Sequence, residues 1–287
     1  MRRTVRIGAV SYLNTKPLIW GLEQDAPAEG IELSLDVPSV LARRMAGGEL
    51  DLALLPVIEL ATIGATELVP GLAITTHGAA RSVLLVARRP LEELRSVALD
   101  GESRTSNALA RVLLAERYGS RPRFATGPLD LERALALHDA AVRIGDKALF
   151  EPRPDGASVH DLGLAWTEAT GLPFVFAVWA ARPGVLDPPL VRLLHDSRRR
   201  GAAALERIAE SFTWNGRRDA ALVREYLMDH IHYRLGDGEI EAMRRFFLGA
   251  ARLGLIERPP AIVLAPDRGT ETAEPMARSA APGSGAP

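Results

Sequence analysis

The run Val5-Arg6-Ile7-Gly8-Ala9-Val10-Ser11-Tyr12-Leu13-Asn14-Thr15-Lys16-Pro17-Leu18 decides the fold. Residues 5–10 are rich in Val and Ile and alternate weakly, the pattern of a buried strand. An apolar run from Leu18 to Leu22 predicts the start of a helix. Hydroxyl, amide and ammonium groups therefore cluster at a strand-to-helix turn. In open α/β sheets such turns collect ligands, because backbone N–H groups and the helix dipole converge there on negative charge. Pro17 suits the first helical turn, where its missing N–H has no intrahelical partner. The same residues would also make an ordinary capped turn, so the turn alone leaves binding and capping open.

Outward from this turn the pattern repeats. Ile31 to Asp36 alternates as a strand with one polar face, and Ser39 opens a short helix that Gly47-Gly48 stops. Asp51 to Leu55 is a further apolar strand, ended by Pro56, with a helix to about Ile63. This β-α-β-α order predicts a parallel α/β sheet. Strands follow at 72–76, 82–88 and 95–99. A second polar turn, Ser103-Arg104-Thr105-Ser106, then opens an amphipathic helix to about Tyr118. Two such turns in one chain favour a shared anion site, each serving one end of a ligand.

Ala141 to Ile144 reads as a strand, followed by Gly145-Asp146, where Asp146 fits either a helix cap or a ligand contact. Pro173 to Ala180 is continuous and apolar and predicts a buried strand; Trp166, Phe174, Phe176 and Trp179 read as core. A chain crossing near 85 and again near 177 gives a discontinuous first lobe, 1–85 with 178–265, and an inserted second lobe, 86–177. That is a two-lobed clamp suited to a small molecule. A helix is expected over Arg218 to His232 and another from Asp237 to Leu253. From 266 to 287 the Ala, Pro, Gly, Ser and Thr composition predicts a disordered tail.

Composition narrows the function. The chain has 287 residues, 47 % of them hydrophobic, which supports a substantial core. A net charge of -1 gives no field for nucleic acid or anionic membrane, so an anionic ligand needs local donors. There are no cysteines, which excludes disulfides and thiolate chemistry. No apolar run approaches the roughly 20 residues that span a bilayer. The basic start Met1-Arg2-Arg3 leads into a stretch broken by Arg6, Asn14 and Lys16, and a cytoplasmic location is expected. The chain carries no phosphate loop, no dinucleotide fingerprint after the first strand and no nucleophile elbow. His230 and His232 are two apart on an expected helix and make a poor metal pair. His77, beside Arg81 and Ser82, is the histidine nearest a candidate site. No metal, cofactor or nucleic-acid partner is expected, and the sequence does not set the oligomeric state.

The opening Arg6 to Leu18 closely resembles that of the chorismate dehydratases of the futalosine route to menaquinone. Further matches follow in order: Asp51 to Glu59, Arg81 to Leu85, Ser103 to Ser106, Ile144 to Asp146, Thr170 to Ala177 with Trp179, and Tyr226 to Ile231 with Tyr233, Leu235-Gly236 and Glu239. The resemblance spans about residues 5–255. It implies a two-lobed, type II periplasmic-binding-protein-like fold with the ligand between the lobes. It also implies loss of water from chorismate to give 3-[(1-carboxyvinyl)oxy]benzoate, with Asn14 and Ser82 at the reacting centre. Ser11, Thr105 and Ser106, with the N–H groups at the two helix starts, suit the two carboxylates of such a substrate. Tyr12, Ser103 and Asp146 join them as expected substrate contacts. Arg81 either adds charge or pairs structurally. The matched motifs offer no obvious general base, so the expected base is the enolpyruvyl carboxylate of the substrate, with Asp146 or His77 as the rival. Rival functions are a non-catalytic carboxylate binder and the dihydroxynaphthoate-forming enzyme of the same pathway.

Overall fold

The computed structural model describes residues 4–25, 29–128 and 130–266. Among the described residues, ten strands make two five-stranded sheets. The strands are β1 (Val5–Val10), β2 (Ile31–Asp36), β3 (Leu52–Pro56), β4 (Glu67–Thr76), β5 (Val83–Ala87), β6 (Ser96–Leu99), β7 (Arg123–Thr126), β8 (Ala140–Ile144), β9 (Ser158–Asp161) and β10 (Phe174–Ala181). The first sheet has the order β2-β1-β3-β10-β4 and the second β7-β6-β8-β5-β9.

The sheets are mixed rather than parallel throughout. In the first, β1 runs parallel to β2 and β3, while β10 is antiparallel to β3 and β4. In the second, β6 is parallel to β7 and β8, while β5 is antiparallel to β8 and β9. The odd strand in each case is the first one laid down after the chain crosses over. It arrives from the other sheet and so enters from the opposite end. A sequence reading from β-α-β-α alternation sees only the parallel strands. Sheet membership also moves the crossings: β5 lies wholly in the second sheet and β10 wholly in the first. The changeovers therefore fall before Val83 and before Phe174, not inside those strands at 85/86 and 177/178.

The apolar runs are buried as their patterns require. Every residue of β3, β5 and β8 is buried, as expected for strands covered on both faces. Trp166, Phe174 and Phe246 meet edge to face with centroids 5.2–6.3 Å apart, and the Trp166 indole N–H donates to the Pro173 carbonyl at 2.9 Å. Trp179 is fully buried. At the end of the first sheet remote from the crossings, Asp51 receives the Arg6 N–H (3.0 Å) and guanidinium (2.9 Å) and pairs with Arg182. These cations hold the Asp51 carboxyl well below the usual carboxylate range.

The expected helix over 218–232 is shorter. It covers Ala220–Glu225, continues as one π turn over Tyr226–His230, and ends where His232 exchanges backbone hydrogen bonds with Thr75 of β4, both 2.9 Å. No described helix is long and apolar enough to cross a membrane. Of the expected tail, residues 267–287 lie outside the described residues.

Candidate active site

An open cleft of about 570 Å3 lies between the two sheets. Val10, Tyr12, Asn14, Thr15, Pro38, Pro56, Ile74, Phe176 and Ala177 line it from the first sheet. Ser82, Val83, Ser103, Thr105, Ser106, Ile144 and Gly145 line it from the second. The lining follows the carboxyl ends of β1, β3 and β8 and the amino ends of β5 and β10, where open α/β sheets hold ligands. None of these side chains carries a formal charge, so an anion here meets neutral donors.

On the first wall, the Ser11–Leu18 turn folds as a single 3₁₀ turn, Leu13–Thr15, running into the Lys16–Ile19 helix. This turn aims Tyr12, Asn14 and Thr15 at the cleft. The Tyr12 ring lies over Gly145, where a Cβ would sit 3.5 Å from ring carbons. Gly145 has φ +65°, and its N–H donates to the Ser82 carbonyl at 2.8 Å. The backbone angle calls for glycine, while the ring would leave a Cβ at ordinary contact distance. The Thr15 hydroxyl oxygen is buried without a protein partner, although Thr15 lines the cleft, while the Tyr12 hydroxyl lies beside Glu102.

On the opposite wall, Ser103 caps the Arg104–Glu116 helix, its Oγ accepting the Ser106 N–H at 3.2 Å. Thr105 Oγ1 accepts the Ile58 N–H at 3.2 Å from the Val57–Ala61 turn. Each hydroxyl keeps its own proton to donate. Of the first N–H groups of this helix, which have no intrahelical acceptor, that of Ser106 is satisfied by Ser103 Oγ. Arg104 turns away to the buried Glu59, 2.9 Å, whose carboxyl is pushed up by burial.

The crossing strand is pinned by Asp161. Its two oxygens accept four backbone N–H groups, from Ala80 (2.9 Å), Arg81 (2.6 Å), Gly163 (2.9 Å) and Leu164 (3.0 Å). Arg81 is held at φ +64°, a costly angle for a residue with a Cβ. Ser82 follows, 2 % exposed, with its Oγ 2.8 Å from the Tyr226 hydroxyl. The Asn14 side chain faces the same phenol, and the Asn14 carbonyl accepts the Tyr233 hydroxyl at 2.9 Å.

A family model described as menaquinone biosynthesis matches residues 5–252. The chain belongs to this menaquinone-biosynthesis family. Among the family's relatives, a protein named chorismate dehydratase from Thermus thermophilus is 32 % identical over 269 residues, covering 87 % of this chain and 95 % of that protein. Another of the same name, from Campylobacter jejuni, is 28 % identical over 253 residues, covering 86 % and 98 %. A Candida albicans protein, CA3427, described as having the generic periplasmic binding protein fold, superposes with a TM-score of 0.60 at 12 % identity, covering 93 % of this chain and 99 % of that one. The family member described here therefore has the periplasmic-binding-protein-like fold expected from its sequence.

In this member of the menaquinone-biosynthesis family, Tyr12, Asn14, Ser82, Ser103, Thr105 and Ser106 meet at one cleft. Ser11 is exposed and outside the lining. Arg81 is also outside it, with its guanidinium on Glu225 at 3.4 Å. Asp146 sits behind Gly145 and accepts the Leu13 N–H at 3.2 Å; burial pushes its carboxyl up to about 6. His77 is exposed and outside the lining. Among the described residues, no group of three His, Asp or Glu side chains is placed to hold a metal ion. Phe176, read from sequence as core, is half-buried and lines the cleft. Thr15 and Tyr226 were missed as site residues. Both lay inside the matched motifs, but nothing in their local pattern separates them from ordinary helix positions.

Proposed function

We propose that the protein is a chorismate dehydratase, a hydro-lyase that converts chorismate to 3-[(1-carboxyvinyl)oxy]benzoate and water. The observation that carries this reading is the pair of relatives of that name, aligned over most of both chains at 32 % and 28 % identity. The cleft supports it. Both walls present hydroxyls, from Tyr12 and Thr15 on one side and Ser82, Ser103, Thr105 and Ser106 on the other, which suits a molecule with a carboxylate at either end.

In this reading the helix start at Ser103–Ser106 and the Tyr12–Thr15 turn hold the carboxylates. Asn14 and Ser82 stand at the reacting centre. The enolpyruvyl carboxylate of the substrate takes the ring proton from the neighbouring carbon. The C–O bond to the ring hydroxyl breaks, the oxygen leaves with the bonding pair, and the ring becomes aromatic. Asn14 and Ser82 donate hydrogen bonds to the departing oxygen, which collects the abstracted proton and leaves as water. Asp146, fixed to the Leu13 N–H, is less well placed as a base than a carboxylate carried on the substrate itself.

The test is to incubate purified protein with chorismate and follow products by chromatography. Appearance of the substituted benzoate, abolished in Asn14→Ala, is the expected result. Binding without turnover would make the protein a carboxylate receptor, and no binding would overturn the choice of substrate.

A further inference from the structure

Tyr226 is fully buried behind the cleft wall, contributed by a segment 144 positions away from Ser82. It sits at the start of a π turn, closed by the Ile231 N–H to the Tyr226 carbonyl at 3.2 Å. The π turn adds a residue to the helical register beyond Tyr226. The oxygen then has Ser82 Oγ at 2.8 Å and the Asn14 amide facing it. Burial raises the phenol well above the ordinary tyrosine value, so its proton stays on.

We propose that Tyr226 is a positioning residue that orders the Ser82 and Asn14 side chains for the reaction. This rests on the reading of Ser82 and Asn14 as the reacting pair. A tyrosine hydroxyl has one proton and accepts through its lone pairs. The Asn14 amide donates to the phenol oxygen, and the phenol donates to Ser82 Oγ. Ser82 Oγ then has its accepting side occupied by Tyr226, and its own proton points into the cleft. Donors aligned in one direction polarise one another, so Ser82 becomes a better donor to a departing oxygen than a free hydroxyl. Tyr233 completes the arrangement by holding the Asn14 backbone from the same C-terminal segment.

The test is a kinetic cycle on the full chain with chorismate as the probe, using Tyr226→Phe, Ser82→Ala and the double variant. Tyr226→Phe removes one oxygen and keeps the ring. The expected result is a kcat lower by about 10- to 100-fold with KM changed by less than about threefold, the signature of an interaction strengthened in the transition state. The double variant should be no slower than Ser82→Ala, because Tyr226 acts through Ser82. Far-UV dichroism and thermal melting of each variant establish the native fold. If Tyr226→Phe melts early, 3-fluorotyrosine at 226 keeps the oxygen and changes its acidity, and a kcat shifted severalfold is expected. An unchanged kcat in a folded variant, or independent multiplicative losses in the double variant, would overturn the proposal. Wild-type protein that leaves chorismate unchanged would overturn the functional reading and this proposal with it, an outcome visible before any variant is made.

Discussion

The Leu13 backbone N–H donates to Asp146 Oδ1 at 3.2 Å, joining the turn after β1 to the helix after β8. It is a hydrogen bond between the two walls of the cleft, made by a half-buried carboxyl that desolvation pushes up to about 6. The folded-state value lies above the ordinary carboxyl value, so below about pH 4 the group is neutral in both states and carries no penalty. Between about pH 4 and 6 the folded state holds the proton more tightly, and stability falls as pH rises. Asp146→Asn keeps an acceptor for Leu13 and removes the charge. Urea unfolding should show Asp146→Asn gaining about 2 kcal/mol on wild type between pH 4 and pH 7. Parallel pH profiles for the two proteins would refute the assignment.

Asp51 has the opposite sign. Its carboxyl is held low by Arg6 and Arg182, so its contribution is present above the ordinary carboxyl value and lost as pH falls through the folded one. Removing Asp51 loses its charge-assisted hydrogen bonds, while Arg6 and Arg182 each keep about a third of their side-chain surface in water. Asp51→Ala should lower the melting temperature but leave kcat on chorismate within about twofold of wild type, because the cluster lies at the far end of β1, β3 and β10 from the cleft. A large kcat loss in folded protein would contradict that separation.

Asp161 holds four backbone N–H groups and thereby the position of Ser82. Replacement by alanine loses a helix cap, about 1–2 kcal/mol, and frees the crossing strand. We expect Asp161→Ala to lose both stability and kcat, while Arg81→Ala, which breaks only an exposed pair with Glu225, changes stability by less than about 1 kcal/mol and KM by less than about threefold. A KM for Arg81→Ala raised by orders of magnitude would return Arg81 to the ligand.

Thr15 has a buried hydroxyl in the cleft wall with no protein partner. A ligand oxygen is the natural acceptor. Thr15→Val keeps the shape and should raise KM by about tenfold, with little effect on melting, since no protein hydrogen bond is lost. Unchanged binding would assign the hydroxyl to water.

Most of the first sheet was legible in sequence because its strands are continuous apolar runs ended by Pro, Gly or a polar turn. The polar turns at Tyr12 to Thr15 and at Ser103 to Ser106 were legible for the same local reason, but the cap was expected from Thr105 or Ser106 and is Ser103. Strand direction was not, since β5 and β10 take their sense from a crossing that no window of sequence contains. Arg81 was misleading: a cation beside a site serine looks like a ligand contact, but its guanidinium pairs with Glu225 instead. Tyr226 was hidden because its partner Ser82 is 144 positions away and helical spacing accounts for an inward tyrosine equally well.

The strand order has a consequence for how the chain is made. All five strands of the second sheet lie between residues 83 and 161, whereas the first sheet needs β10 at 174–181 to fill the gap between β3 and β4. On a ribosome the later-encoded sheet is thus complete while the earlier one still has a hole in its middle. Domains fold as units as they emerge, so β4 waits unpaired beside a finished neighbour until β10 arrives. Nascent chains arrested with residue 170 outside the exit tunnel should resist protease across 83–161 and be cut within 52–76. Equal protection of both segments would refute that order of assembly.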